Sequence, residues 1–147
     1  MNSLVKRLQR TFPEYQFTNS EVFAWNPQTH TVLYDADGSP SRLLHEVAHG
    51  VLSHESYAKD VELLKMEADA WQRAKELAPT YELTIADDEI DIHMDSYRDW
   101  LHARSTCPSC DATGVQVSAE HYSCLECRTR WRVNEARTCG LRRYIEH

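Results

Sequence analysis

His45-Glu46-Val47-Ala48-His49 sets two imidazoles four residues apart, with a carboxylate beside the first. On a helix, residues four apart share a face, so both rings can reach one metal ion. Glu46 can then touch a water held by the metal instead of the metal itself. The competing reading is a chance pattern in a chain with eight histidines. Leu43, Leu44, Val47, Val51 and Leu52 argue against chance, because they predict a buried amphipathic helix around the motif.

A hydrolytic zinc site needs a third protein ligand and one open position. His54 lies five residues after His49. Five helical residues turn about 500°, roughly 140° away from the His49 face. His54 would fit only if the helix broke at Gly50. Glu67 is the stronger candidate. Leu63, Glu67, Ala70, Ala74 and Leu77 form one helical stripe, and Leu64, Glu67, Trp71, Ala74 and Ala78 form the adjoining one. Glu67 stands where two apolar stripes cross and should face the core, where an unpaired carboxylate is very costly. A metal would remove that cost; a buried pair with an arginine, or a glutamate that reaches out to solvent, would do so too. Glu62 and Asp69 lie off the apolar face and read as solvated. The predicted ligands are His45, His49 and Glu67, a set suited to metal-assisted peptide hydrolysis with Glu46 as the proton-transferring base. Tyr57, His93 and Tyr97 are candidates for stabilising the oxyanion.

The second constellation is Cys107-Pro-Ser-Cys110 and, thirteen residues on, Cys124-Leu-Glu-Cys127. Two such knuckles place four thiolates around one structural zinc. A segment this short cannot bury a sufficient core, so the metal should stabilise it outright. Two disulfides are the competing reading. Val115 to Val117 and His121 to Ser123 predict short strands, and Trp131 can cover the site. Cys139 is left over and reads as a small buried hydrophobe. Arg128, Arg130, Trp131 and Arg132 follow the ribbon. Arginine beside an aromatic can grip single-stranded nucleic acid, but docking or protein contact is favoured, because the local charge balance is close to neutral.

These groups need elements to carry them. Asn2 to Thr11 reads as a helix stopped by Pro13. Val22 to Trp25 and His30 to Tyr34, around Asn26-Pro27-Gln28-Thr29, predict a β-hairpin. Ser41 is a plausible cap for a helix over about 42–54. Further helices are predicted over 60–78, opened by Asp60, and from Asp88 to Arg104. Tyr81 to Ile85 is read as a short strand or an extended linker. Asp87, Asp88, Asp91, Asp95 and Asp99 read as a solvated face of the last helix. Calcium binding is disfavoured there, since no glycine-centred loop with a closing glutamate follows.

The chain has 147 residues and a formal charge of −7. Residues 1–104 carry 10 Lys and Arg against 18 Asp and Glu, while residues 105–147 carry 6 Arg against 5 acids. An acidic body does not suit non-specific DNA binding, which needs basic groups against phosphates, although the short C-terminal part could still make such contacts. The longest apolar runs are far short of the roughly 20 residues that cross a bilayer. The first residues contain no apolar signal segment, so a cytoplasmic monomer that does not engage a membrane is expected. Five cysteines, all after residue 106, suit metal better than disulfides in that compartment.

Leu43 to Gly50 around the histidine motif, then Met66-Glu67-Ala68-Asp69-Ala70-Trp71 and Ala78-Pro79, following an N-terminal helix and hairpin, resembles the ImmA/IrrE family of small metallopeptidases over roughly residues 15–80. The resemblance implies a zincin-like α+β core with a gluzincin-type glutamate, ligands His45, His49 and Glu67, and Glu46 as catalytic base. It implies a cytoplasmic protein substrate, a transcriptional repressor or other DNA-binding regulator. Trp71 stands where many gluzincins have an aspartate, and no helix-turn-helix partner domain accompanies the motif. The four-cysteine ribbon is similar to that of SprT-like proteases, some of which digest proteins crosslinked to DNA. Their third ligand is a histidine in a later Gly-His loop, which has no counterpart here. A third reading is a catalytically inactive two-zinc adaptor. The resulting expectation is an α+β chain. A zincin-like peptidase domain spans 1–104, a zinc ribbon spans 105–133, and a tail spans 134–147 and packs on the body. Two Zn2+ ions are expected per chain, one catalytic and one structural.

Overall fold

Four helices and two small sheets make up the computed structural model, which describes residues 1–137 and 139–147. The architecture is α+β, as expected. The chain divides into two units, residues 1–56 with 66–90, and residues 57–65 with 91–147. The second unit is therefore larger than a ribbon over 105–133, and it takes in most of the last predicted helix.

In the first unit, α1 (Asn2–Thr11) buries Val5 and Leu8. Its Arg7 guanidinium lies 5.2 Å from the centre of the Tyr81 ring and donates to the Thr80 carbonyl. The predicted hairpin forms from β2 (Ala24–Asn26) and β3 (Thr31–Tyr34), paired antiparallel with Trp25 opposite Val32. Asn26 closes its turn by accepting from the backbone amides of Gln28 and Thr29. A strand not predicted from the sequence, β1 (Gln16–Asn19), runs parallel to β3 and completes a sheet of order β1-β3-β2. It is a mostly exposed edge with a single apolar residue, Phe17, so it shows no repeated alternation to read.

Helix α2 (Pro40–Val51) begins two residues before the predicted start. Ser39, not Ser41, is the cap: its hydroxyl accepts from the Ser41 amide, and Pro40 takes the first helical position, where no amide is needed. The helix buries Leu43, Leu44, Val47 and Ala48 against the sheet. It stops in a Schellman turn. Ser53 adopts φ 56°, its amide donates to the Gly50 carbonyl, and the His54 amide donates to the His49 carbonyl.

Helix α3 (Asp60–Leu77) follows, with Ala70, Trp71 and Ala74 fully or nearly buried. A 3-10 turn, Ala78–Tyr81, with Pro79 in its first turn and Glu82 in the left-handed region, precedes the segment expected as a strand or linker, which forms no strand and runs on over 83–86 without regular structure. Tyr81 is buried and donates to the Thr11 hydroxyl, which draws the chain inward instead of letting it extend.

Helix α4 (Asp87–Ser105), whose residues from Asp91 on belong to the second unit, presents Asp88, Asp91, Asp95 and Asp99 to solvent, as read from the sequence. The ribbon strands β4 (Val115–Ser118), β5 (His121–Ser123), β6 (Arg130–Val133) and β7 (Arg143–Glu146) form one antiparallel sheet in chain order. The segment read as a tail thus supplies β7, with Ile145 opposite Trp131 and Tyr144 opposite Arg132. Cys107, Tyr122, Cys124, Trp131 and Val133 form the ribbon's buried core. None of the described helices is long and apolar enough to cross a membrane.

Candidate metal centres

Helix α2 turns His45 and His49 to one side, one turn apart, and both are buried. Their Nε2 atoms lie 3.1 Å apart. Glu67 of α3 meets both: Oε2 is 2.8 Å from His45 Nε2, and Oε1 is 3.3 Å from His49 Nε2. Glu67 is only 7 % exposed, as the crossing of two apolar stripes predicts, and its partners are the two histidines, not an arginine.

A tetrahedral zinc bound at about 2.0–2.1 Å needs donor atoms roughly 3.3–3.4 Å apart. The two Nε2 atoms are 3.1 Å apart and each meets a different Glu67 oxygen, at 2.8 and 3.3 Å, so one atom from each residue lies close enough to the others to share an ion. Burial pushes the Glu67 carboxyl up, but hydrogen bonds from and charges on His45 and His49 overcome it and hold the group well below the usual carboxylate range. For His49, burial lowers the pKa; the hydrogen bond to Glu67 and the charges of Glu67 and Glu46 outweigh it and raise the value. The carboxylate is therefore ionised at neutral pH, as a metal ligand must be.

Two contacts hold the histidine rings. The Trp71 indole stacks on His45 with centroids 4.2 Å apart and 22° between planes. His54, considered as a third ligand, instead sits with its Nδ1 2.9 Å from His49 Nδ1, on the ring edge opposite Nε2. The Schellman turn explains the placement. The helix ends after Val51, and the chain folds back over the His49 side instead of continuing to turn. A partner on the far nitrogen is the usual way to orient a metal-binding imidazole.

Glu46 lies beside the triad. Burial is the main reason its carboxyl is pushed up to about 7; the Glu67 charge adds to this, while His49, Arg42 and a hydrogen bond from the Trp25 backbone amide oppose it. The sequence reading missed Trp25 as a support of Glu46, and it also missed the stack of Trp71 on His45. Only the pairing of β2 with β3 and the packing of α2 on that sheet bring the Trp25 amide to Glu46. Tyr57, His93 and Tyr97, considered for the oxyanion, belong to the other unit. There Tyr97 carries the Arg137 guanidinium 4.3 Å from its ring centre.

The four cysteines converge as two matched turns. Ser109 and Cys127 amides point to the sulfurs of Cys107 and Cys124 at 3.4 and 3.5 Å. Asp111 and Arg128 follow the second cysteine of each pair, and both adopt φ 63°. Their amides donate to the Cys107 and Cys124 carbonyls, each at 3.0 Å. The sulfurs are 3.6 Å apart for Cys107 and Cys127 and 3.5 Å for Cys110 and Cys124. That is far beyond a disulfide bond of about 2.05 Å. It is close to the roughly 3.8 Å edge of a tetrahedron with 2.3 Å zinc–sulfur arms. The Thr129 hydroxyl and amide hold the Cys127 thiol down to about 6. The Ala112 amide lowers the pKa of Cys110, yet the neighbouring sulfurs push that thiol up to about 12. Both four-cysteine and His45–His49–Glu67 groups thus have the donors to hold a metal ion.

The residues after the ribbon cysteines part company. Arg128, Arg130 and Arg132 are exposed. Trp131 is not available to a partner, which corrects its place among the expected contact residues. It is fully buried, stacks on Tyr122 at 5.7 Å and donates to the Arg104 carbonyl. Arg132 lies 4.6 Å from the Tyr144 ring centre, and Glu146 of the same sheet pairs with His121. Cys139, expected to be buried, is exposed.

One buried network has no sequence signal. The Arg104 Nε donates to Asp60 at 2.7 Å, and the Tyr122 hydroxyl donates to the same carboxylate at 2.6 Å. Arg104 also donates to the Ala119 and Asn134 carbonyls. The fork of one guanidinium thus joins the start of α3, the end of α4 and the ribbon loops of the second unit.

Compared with known proteins, the chain matches no family model, no curated protein and no solved structure, so the reading of function rests on the two metal-binding constellations.

Proposed function

We propose that this chain is a zinc-dependent metallopeptidase of the gluzincin type. Its catalytic ligands are His45, His49 and Glu67, and Cys107, Cys110, Cys124 and Cys127 hold a structural zinc. The observation that carries the reading is the buried meeting of both Nε2 atoms with one carboxylate, while a second carboxyl, Glu46, stands next to them. When bound, a zinc ion supplies the Lewis acid that polarises a scissile carbonyl and acidifies water.

The chain's own residues do the rest. His54 and Trp71 hold the two rings in the orientation that points Nε2 inward. The backbone of Trp25 favours the ionised form of Glu46. Beside the ligands but not one of them, Glu46 can take a proton from an attacking water and give it to the leaving amine. The resemblance to ImmA/IrrE peptidases supports a zincin-like domain acting in the cytoplasm on one specific protein, a DNA-binding regulator.

The test is zinc per chain together with new peptide N-termini in a lysate incubated with the protein. The expected result is two zincs in the wild type and in Glu46→Gln, and one in His45→Ala and in Cys107→Ser. New N-termini are expected from the wild type and none from Glu46→Gln. A single zinc that survives His45→Ala would leave only the ribbon metallated and hand the reading to an adaptor. Cleavage that requires DNA would favour the SprT-like reading.

A further inference from the structure

Residues 105–147 carry six arginines and no lysine. Their five acids nearly balance that charge in number, but not in place. Asp111, Glu120, Glu126 and Glu135 lie in turns and loops, and only Glu146 stands in a strand of the ribbon sheet. Trp131 and Tyr122 are buried and opposite each other, so they mark the inner face of that sheet. Successive strand residues point to opposite faces. Arg130 and Arg132, on either side of Trp131, therefore stand on the outer face, and both are exposed.

The register completes two outer rows across β5, β6 and β7: Ser123–Arg130–Glu146 and His121–Arg132–Tyr144. In the second row the Arg132 guanidinium lies 4.6 Å from the centre of the Tyr144 ring, which is 42 % exposed. In the first, Glu146 pairs with His121 Nε2 at 2.9 Å and not with Arg130 opposite it. Arg128 precedes β6 and Arg142 precedes β7, and both are exposed. Among the described residues, no guanidinium of Arg128, Arg130, Arg132 or Arg142 joins an ion pair or a hydrogen bond. The other two arginines are engaged. Arg143 donates to the Thr106 carbonyl, and Arg137 lies on the Tyr97 and Trp100 rings.

We infer that this outer face binds single-stranded nucleic acid, with Arg128, Arg130 and Arg142 on phosphates and the Arg132–Tyr144 pair as a platform for an unpaired base. Guanidinium forks match phosphate oxygens and also stack on rings, which lysine does less well. A solvent-facing tyrosine beside a stacked guanidinium offers a flat surface that every base can use. An acidic peptide would use the cations and leave that surface idle. A duplex keeps its bases stacked on one another and away from it. The inference concerns binding alone and does not depend on the peptidase reading.

The test is fluorescence anisotropy on the full chain with zinc in the buffer. Labelled oligothymidylate and oligouridylate are the probes, and duplex DNA and polyglutamate are the competitors. The expected result is saturable binding of a single strand, with log K falling against log salt at a slope of about −2 for three phosphate contacts. Whichever strand binds more tightly names DNA or RNA as the source. Arg130→Gln with Arg142→Gln should leave about a third of that slope. Tyr144→Leu should weaken binding about tenfold at an unchanged slope, and Tyr144→Phe should restore it. A merely structural role would not separate slope from affinity in this way. Arg128→Gln, outside the strands, gives a slope reading even where a strand variant fails to fold. No saturable binding at low salt, a slope unmoved by the arginine variants, or Tyr144→Leu binding as tightly as wild type overturns the inference. Competition by polyglutamate as strong as by a single strand would also overturn it and hand the face to an acidic protein.

Discussion

The Trp71 indole lies flat on the His45 imidazole, 4.2 Å from centroid to centroid, four residues along α3 from the carboxylate that meets His45 Nε2. One helix turn thus supplies both the group that touches the histidine's reactive nitrogen and the surface that fixes its ring.

Trp71→Ala should loosen His45. The cost in stability is expected at about 3–5 kcal/mol for an emptied, fully buried indole site. Zinc affinity at the first site should fall by roughly 10- to 100-fold, the usual effect of removing an outer support. Trp71→Phe keeps a ring over His45 and should recover most of the affinity. Chelator competition on folded protein checks both variants, and equal affinity in Trp71→Ala and wild type would show that the stack does not orient the ring.

Glu46 gives a pH signature in the chelator-treated chain. Its folded pKa is raised to about 7 from an ordinary 4.5, so between these values the folded state keeps a proton that the unfolded state has released. Stability should therefore fall as pH rises through that window and level off above it. Glu67 has the opposite sign. Its depressed pKa contributes stability that is present above the ordinary carboxylate range and lost on acidification below it. Glu46→Gln should remove the decline between about 4.5 and 7, a gain near pH 8 on the order of 3 kcal/mol. Urea melts at several pH values read this directly, and parallel profiles in the two proteins would rule Glu46 out as the source.

The Asp60–Arg104–Tyr122 network should stabilise the second unit. Arg104→Ala leaves a buried carboxylate without its cation and should cost about 3–5 kcal/mol. Tyr122→Phe removes one donor of two and should cost about 1–2 kcal/mol. A double-mutant cycle by denaturant unfolding should find the two losses non-additive, since both act on the same Asp60 oxygens.

In the ribbon, Gly114 is a packing requirement, because a Cβ there would lie 2.3 Å from Trp131. Gly114→Ala should cost about 1–3 kcal/mol by overpacking and weaken zinc retention at the cysteines. Arg128→Gly should do the reverse and gain about 1 kcal/mol, since φ 63° costs a side chain that much. Thermal melts of the zinc-loaded protein order the three proteins Arg128→Gly, wild type, Gly114→Ala from most to least stable.

Spacing was enough to place the local parts of both constellations. His45 and His49 share a face because four residues make about one helical turn. Glu67 turns inward because two apolar stripes meet at it. The four cysteines fall into two matched turns because a two-residue spacer permits little else. These are short-range consequences of backbone periodicity, so they are written in the order of residues.

Long-range partners were not legible. That Trp25 would hold Glu46, that His54 would brace His49 instead of binding metal, that Trp131 would be sealed under Tyr122, and that residues 143–146 would close the ribbon sheet all depend on where distant segments meet. Edge strands such as β1 and β7 expose most of their residues and carry no alternation. The turn that redirects His54 rests on Ser53 adopting φ 56°, a conformation that no local residue choice announces. Periodicity assigns a side chain to a face of its own element; packing alone assigns it a neighbour.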